Sequence, residues 1–225
     1  DSLNTIQVMS SKRLIIALDF KNFDEMSKFV ARLDPNSCVL KVGLQLFISE
    51  GNKVLDFLSS KGFDIFLDLK LHDIPNTVSK AIEEIAQFNV LMTTIHLQGG
   101  MEMIAAANQA KSNTKILGVS LLTSLDESDI QMLYNNNFIE QFNNLIEVAE
   151  NSEIDGIVCS SRELTLLFDS DLMKVVPGIR NHSFLDDQKR VMTSKEAYGF
   201  GANYIVVGRP ITQSKNVDEA IREYS

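Results

Sequence analysis

The sequence predicts an α/β protein built as a single-domain (β/α)8 (TIM) barrel. Three observations predict it: eight short apolar segments rich in β-branched residues, helical spacing between them, and no linker or break in composition along 225 residues. Parallel strands need a covering connection at each crossover, and eight such strands favour a closed barrel. On pattern alone, an open, doubly wound sheet remains the alternative.

The predicted elements alternate regularly along the chain. Strands are expected at residues 14–20, 38–43, 64–70, 90–97, 115–123, 156–160, 173–179 and 204–211. Between them, spacings such as Val78, Ile82 and Ile85 place apolar side chains on one helix face. Ser124 and Glu127 have the spacing of a capping box at the start of a helix.

Composition limits the classes of partner. With 21 basic and 30 acidic residues the formal net charge is −9, which disfavours nucleic acid. No segment approaches the roughly 18 apolar residues of a membrane span, so no membrane partner is expected. The two cysteines lie in apolar runs, which is typical of buried thiols in a reducing cytoplasm. Residues 1–11 read as a polar leader, and the barrel is expected to occupy 12–225.

Charged residues lie where the third strand ends. A period of two places Asp68 and Lys70 on one face, and Asp73 follows three residues later. In a barrel this is the functional rim, because catalytic residues lie after the carboxyl ends of the strands. The alternative is a structural salt bridge, with Asp73 as the N-cap of a helix that starts at Pro75.

Two further strands end in the same way. The first strand leads to Asp19 and the second contains Lys41, so three neighbouring strands deliver alternating charges to one rim. Such an arrangement holds its members in fixed geometry, as a preorganised electrostatic catalyst requires. These charges point to an active site.

Loops after the seventh and eighth strands predict a phosphate site. Gly208 allows close backbone approach, Arg209 offers a bidentate fork, and Gln188 lies in the intervening loop with an amide to donate. Thr123 is a candidate ligand contact. His96 is interpreted as a rim histidine more readily than as a base, and no metal motif is present in the sequence.

The run DLKLHDIPNT at 68–77 resembles the signature of the orotidine 5′-phosphate decarboxylase family. Other segments with the same resemblance follow in the expected order, namely ALD at 17–19, KVG at 41–43, LTS at 122–124, VPGIR at 176–180 and GRP at 208–210. The resemblance extends from about residue 14 to the end of the sequence and is similar to the bacterial stand-alone form.

The resemblance implies conversion of orotidine 5′-phosphate to UMP and CO₂ in pyrimidine biosynthesis, without a metal or organic cofactor, by a cytoplasmic homodimer. It implies that Asp19 and Lys41 bind the ribose hydroxyls and that Lys41 joins the charge network. Asp68 would face the departing carboxylate, and Lys70 would donate the proton to C6.

The same resemblance assigns the remaining site residues. Asp73 and Thr77 would reach the neighbouring subunit's active site across the dimer interface. The pyrimidine and phosphate contacts would be Thr123 and Pro177 for the base, and Arg180, Gln188, Gly208 and Arg209 for the phosphate.

Two alternatives belong to other functional classes. A Mg²⁺-dependent sugar-phosphate decarboxylase or aldolase of the same superfamily has a similar Asp-x-Lys-x-x-Asp pattern, and Asp68 with Asp73 would supply its carboxylates. A non-catalytic phosphate-binding barrel would need neither Asp68 nor Lys70. Sensitivity to a chelator separates the first alternative from the main interpretation.

Overall fold

The computed structural model describes residues 12–182 and 192–225, so the leader at 1–11 and Gln188 lie outside the described residues. The strands are β1 (Leu14–Ala17), β2 (Val39–Gly43), β3 (Ile65–Leu71), β4 (Val90–His96), β5 (Lys115–Val119), β6 (Gly156–Val158), β7 (Met173–Pro177) and β8 (Tyr204–Val207). Each pairs in parallel with the next, and β8 returns to β1 through registers such as Leu14 with Ile205. The prediction of a closed barrel is confirmed, and the open-sheet alternative is wrong.

Helices cover the outside of the barrel. Within the described residues they are α1 (Phe23–Val30), α2 (Leu44–Glu50), α3 (Asn52–Ser60), α4 (Pro75–Ile85), α5 (Gly100–Ala110), α6 (Glu127–Tyr134), α7 (Phe138–Asn151), α8 (Ser161–Leu164), α9 (Ser194–Gly199), α10 (Arg209–Thr212) and α11 (Val217–Tyr224), with a short 3₁₀ turn at Leu97–Gly99. Val78, Ile82 and Ile85 form the buried face of α4, as their spacing predicts.

One predicted helix cap, and one given only as an alternative, are wrong. Asp126, not Ser124, caps α6, and it forms a capping box with Asp129. The N-cap position of α4 is Ile74, not Asp73. Ile74 is in extended conformation, which the following proline favours. The Asp73 carboxylate instead accepts a hydrogen bond of 2.7 Å from the Ile74 amide, outside the helix.

Two apolar layers hold the barrel together. The larger one packs the outer faces of the strands against the helices. The smaller one fills the barrel itself and includes Ala17, Val39 and Phe66. Because side chains alternate along a strand, the residue two positions beyond each of these also points inward, nearer the carboxyl end. The fold therefore directs Asp19, Lys41 and Asp68 toward the barrel axis.

Several strands end earlier than their apolar patterns suggest. The fifth ends at Val119 rather than 123, and the eighth ends at Val207 before Arg209 starts a helix. Leu121 and Ile211 are nevertheless buried. Residues beyond a strand end that pack into the core, whether in a loop like Leu121 or in a helix like Ile211, continue an apolar run without joining the sheet, so hydrophobicity alone overestimates strand length.

Neither cysteine forms a disulfide, and both Cys38 and Cys159 are buried, as expected from their apolar surroundings. Within the described part of the chain, no helix has the length and apolar character needed to span a membrane.

Candidate active site

Four charged side chains form a continuous ionic chain at the carboxyl-terminal rim. The Lys70 Nζ lies 2.9 Å from both oxygens of Asp68. The Lys41 Nζ lies 3.7 Å from Asp68 Oδ2 and 3.9 Å from Asp19 Oδ1. The Asp68 side chain is 12% exposed and that of Asp19 is 68% exposed, so the chain runs from the barrel interior to solvent. Charges in such a partly buried site interact more strongly than they would in water.

The backbone of Lys70 is unusual. Its φ is +51°, in the left-handed region, and the pairing of β3 with β4 shifts between Leu67 and Leu71. Non-glycine residues seldom adopt this conformation, and they are found in strained, often functional positions. The period of two that predicted the position of Lys70 is therefore interrupted at that residue. Its ammonium reaches Asp68 because of the bulge, not because of regular alternation.

Thr94 on β4 holds this bulge in place, and the sequence analysis missed it. Its hydroxyl accepts a 2.8 Å hydrogen bond from the Lys70 amide and donates a 2.9 Å hydrogen bond to Asp68 Oδ1. Thr94 is completely buried. One side chain thus fixes both the strained backbone and the carboxylate beside it. The only signal in the sequence is a pair of threonines inside an otherwise apolar strand.

A cavity of about 250 Å³ opens beside the ionic chain. Lys41, Asp68 and Lys70 line one side of it, and Thr123 and Pro177 also contribute to its lining. Its lining combines a few charged and polar groups with a largely apolar wall, which is typical of a small-molecule site.

The candidate phosphate residues lie at the ends of β7 and β8. Gly208 separates β8 from α10, and a side chain at this glycine would approach Asp19 Oδ2 to 3.8 Å. Arg209 is exposed and Arg180 is half-buried. The Arg180 amide donates a 3.1 Å hydrogen bond to the Met192 carbonyl. The structure thus places Gly208 beside the ionic chain, whereas Gln188 is outside the described residues.

Asp73 and Thr77 are not brought into this cavity. Both are exposed, and neither lines the cavity of its own chain. Ile74 between them is 66% exposed. The turn from β3 to α4 therefore presents two polar side chains and an apolar one on the outer surface.

His96 lies outside the cavity lining, which agrees with a rim histidine. Its ring centroid is 5.3 Å from that of His72. Burial, followed by the neighbouring His72 and Lys70, lowers the pKa of His96 below its ordinary value. Its buried Nδ1 has no hydrogen-bond partner within the described structure.

A second residue missed by the sequence analysis is Glu163, which is 2% exposed and lines the cavity. Its carboxylate accepts hydrogen bonds from the Ser120 hydroxyl at 2.8 Å and the Ser160 amide at 2.6 Å. Burial raises the pKa of Glu163 above its ordinary value, although these hydrogen bonds oppose the shift. A capping-box spacing is the only sign of it in the sequence.

Comparison with known families places this geometry in context. Residues 12–224 match the orotidine 5′-phosphate decarboxylase / HUMPS family over nearly the whole chain. The chain belongs to this family. Asp68 and Lys70, at the centre of the ionic chain, lie in the run 68–77 on which the family resemblance rests.

This chain is similar to individual members of the orotidine 5′-phosphate decarboxylase family. The chain is 43% identical over 209 residues to the orotidine 5′-phosphate decarboxylase of Laribacter hongkongensis, covering 89% of this chain and 86% of that protein. It is 39% identical over 220 residues to that of Saccharophagus degradans, with 94% and 92% covered. Both alignments span the barrel.

Solved structures agree with the fold. The orotidine 5′-phosphate decarboxylase of Lactobacillus acidophilus superposes with a TM-score of 0.83 at 33% identity, covering 95% of this chain and 99% of that one. The enzyme of Methanocaldococcus jannaschii, complexed with the inhibitor BMP, superposes with a TM-score of 0.76 at 23% identity, with 95% and 96% covered. The second comparison shows a shared fold.

Within residues 12–182 and 192–225, no three histidine, cysteine, aspartate or glutamate side chains are grouped so that they could hold a metal ion. Around Asp68, the position next to the carboxylate oxygens is occupied by the Lys70 ammonium.

Proposed function

We propose that this chain converts orotidine 5′-phosphate to UMP and CO₂, with Lys70 as the proton donor. The observation that carries the proposal is the Lys70 ammonium, held 2.9 Å from both Asp68 oxygens at the wall of a cavity of about 250 Å³. Family membership and the names of the relatives support the same reaction.

The substrate is positioned from its phosphate inward. Arg180, Gly208 and Arg209, together with Gln188 from the intervening segment, bind the phosphate after β7 and β8. Asp19 and Lys41 hold the ribose hydroxyls, since they lie between that end of the barrel and Asp68. The base then enters the cavity with C6 toward Lys70, in contact with Thr123 and Pro177.

The chemical step breaks the bond between C6 and the carboxylate. CO₂ leaves, the electron pair stays on C6, and the Lys70 ammonium stabilises this negative charge before it transfers a proton to C6. Lys70 then regains a proton from solvent. Asp68 lies where it would face the substrate carboxylate, so departure of CO₂ relieves repulsion between two negative groups.

A homodimer with shared active sites completes the proposal. Asp73 and Thr77 face outward from their own chain and would enter the cavity of a second copy. Exposed apolar side chains follow three neighbouring strands on this side of the rim: Leu44 and Ile48 after β2, Ile74 after β3, and Met101 after β4. Apolar residues exposed together are typical of an interface.

A cytoplasmic location is part of the same proposal. Two buried, unpaired cysteines suit a reducing compartment, where the reactions of nucleotide synthesis take place.

An ultraviolet assay of the purified protein with orotidine 5′-phosphate in the presence of EDTA tests the reaction. We expect full turnover with the chelator present. Absence of turnover by folded protein refutes the proposal. Activity toward orotidine 5′-phosphate that EDTA abolishes and Mg²⁺ restores would refute the metal-free step, because Mg²⁺ would then have to displace Lys70 from Asp68.

A further inference from the structure

We propose that Glu163 is a positioning residue that fixes the wall of the cavity against which the pyrimidine lies. The inference rests on the proposed function, because it assumes that a pyrimidine nucleotide occupies the cavity. Glu163 acts through the segments it joins and has no part in the bond-breaking step.

Glu163 joins the ends of two neighbouring strands. Ser120 directly follows β5, and Ser160 lies two residues beyond the end of β6. The two carboxylate oxygens bind one group each, the Ser120 hydroxyl and the Ser160 amide. The Glu163 amide in turn donates a 3.2 Å hydrogen bond to the Ser160 hydroxyl. The bond from Ser120 therefore ties the loop after β5 to the segment after β6, and the two bonds with Ser160 fix Glu163 within that segment.

Burial of this carboxyl group makes a space-filling role insufficient. A buried carboxylate loses its hydration, and that loss is reflected in the raised pKa of Glu163. An apolar side chain would fill the same volume without this cost. What an apolar side chain lacks is two directional acceptors that hold two loops in one relative position.

The wall that Glu163 fixes faces the uncharged edge of the base. With the phosphate after β7 and β8 and C6 at Lys70, the edge bearing N3 and the C4 carbonyl points toward β5 and β6. Thr123, Ser160 and Glu163 line the cavity on that side. The Ser160 hydroxyl accepts from the Glu163 amide, which leaves its own proton available for a carbonyl oxygen. A shift of this wall would move C6 relative to the Lys70 ammonium.

Glu163→Ala tests this role by removing both links. We expect kcat for orotidine 5′-phosphate to fall by about tenfold or more, because small misplacements of a reacting atom are costly. The KM is expected to rise by less than kcat falls, since the phosphate contacts persist while the contacts to the base weaken. UMP inhibition should weaken, whereas inhibition by ribose 5-phosphate, which has no base, should stay unchanged.

Glu163→Gln is the conservative variant. Its amide oxygen can accept from the Ser160 amide, and its NH₂ can donate to the Ser120 hydroxyl after that hydroxyl rotates. We expect near-complete rescue of kcat and of the ratio between the two inhibition constants. Equal damage by the Gln and Ala variants would overturn the inference, because the geometry is preserved in one of them.

Asp155→Ala is a matched control at the opposite end of the same two strands. The Asp155 carboxylate accepts a 2.8 Å hydrogen bond from the Ile116 amide on β5 and pairs with Lys111 at 2.7 Å. Its loss should lower Tm without changing kcat or the inhibition ratio. An equal effect of Asp155→Ala and Glu163→Ala on that ratio would mean that Glu163 contributes only to the general stability of the fold.

Ser120→Ala keeps the inference testable if Glu163→Ala does not fold. It removes only the link to β5 and should lower kcat in the same direction but by less. An unchanged kcat in Ser120→Ala contradicts the inference. If the wild-type protein binds UMP but does not turn over orotidine 5′-phosphate, the proposed reaction fails, while the inhibition ratio still tests the wall.

Discussion

Lys70 combines two properties that seldom occur in one residue. Its ammonium touches both oxygens of Asp68, and its backbone is held in a left-handed conformation by Thr94. The side chain is thus immobilised from its backbone and from its charged end. Such preorganisation is what an electrostatic catalyst needs, because no reorientation has to accompany the reaction.

Lys70→Ala is expected to abolish turnover while UMP binding remains measurable. The proposed phosphate and ribose contacts lie on other strands, so the loss should appear in kcat. The measurement is the ultraviolet assay combined with calorimetric titration of UMP. A variant that keeps even about a tenth of wild-type kcat would exclude Lys70 as the proton donor, since general acid catalysis contributes roughly 10²–10⁴-fold.

The pKa of Glu163 predicts a pH dependence of stability. Because burial raises this pKa, the folded state binds the proton more tightly than the unfolded state. The favourable contribution of Glu163 is therefore complete below its ordinary value of 4.5 and is lost as the pH rises through the higher folded value. Glu163→Gln has no such loss. Its Tm relative to wild type should rise as the pH increases above 4.5.

The control for this experiment is Glu196→Gln. Hydrogen bonds from Thr193 lower the pKa of Glu196, so its contribution has the opposite sign and is present at high pH. The Tm of this variant relative to wild type should not rise over the same interval. A Tm difference for Glu163→Gln that stays flat or falls would contradict the assigned direction. Arg162 and Cys159, the neighbouring titratable groups, are the same in both proteins.

At the scale of elements, the proposed function assigns each part of the substrate to a different set of strand ends. The ends of β1, β2 and β3 supply the charged chain, those of β5 and β6 would supply the wall for the base, and those of β7 and β8 lead to the proposed phosphate residues. Each group is a contiguous arc of the barrel. A change in one arc is therefore expected to affect one part of the substrate.

Arg209→Ala tests this division. The exposed guanidinium is assigned to the phosphate, so kcat/KM for orotidine 5′-phosphate should fall by about tenfold or more, in line with loss of a hydrogen bond to a charged group. The kcat/KM for orotidine, which lacks the phosphate, should be nearly unchanged by the substitution. Arg32→Ala, an exposed arginine between α1 and β2, is the matched control and should affect neither substrate. Equal damage with both substrates would assign Arg209 a structural role.

The elements also show what the sequence reveals. Strand order and the inward direction of Asp19, Lys41 and Asp68 were predictable. The period of two in strands and of 3.6 in helices depends only on residues close together in the sequence. The bulge at Lys70 was not, since it depends on a hydroxyl from the next strand. The alternative in which Asp73 caps α4 is wrong by one position, because Pro75 forces Ile74 into extended conformation.

Contacts distant in the sequence were the hardest to predict. Ser120 and Glu163 are separated by 43 positions, and only closure of the barrel brings them together. A buried glutamate also has no distinctive pattern beyond its local cap. The part of the site assigned by family resemblance alone, including Asp73 and Thr77 in a partner's cavity, stays a prediction.

For the whole molecule, the outward position of Asp73 predicts complementation between two inactive chains. In the proposed dimer, a two-fold axis would make two composite sites, each with Lys70 from one chain and Asp73 from the other. In a dimer of a Lys70→Ala chain with an Asp73→Asn chain, one site carries both substitutions. The other site has a wild-type Lys70 and a wild-type Asp73. Two nearly inactive parents should then give about half of wild-type activity per mixed dimer, or roughly a quarter in a randomly assembled pool.

The measurement uses co-expression with two different tags, isolation of the doubly tagged species and the ultraviolet assay. A mixture of the separately purified parents, assayed before subunits exchange, is the control and should remain inactive. No recovery in a verified, folded heterodimer would mean that Asp73 acts within its own chain.

The left-handed backbone of Lys70 also has a consequence for protein engineering. Glycine would adopt this conformation without steric cost, so backbone strain alone favours glycine at position 70, against the loss of the ion pair with Asp68. Such a substitution would relax the chain and delete the ammonium in one change. Position 70 should therefore be held fixed when this barrel is stabilised, because backbone strain there coincides with the side chain on which the proposed reaction depends.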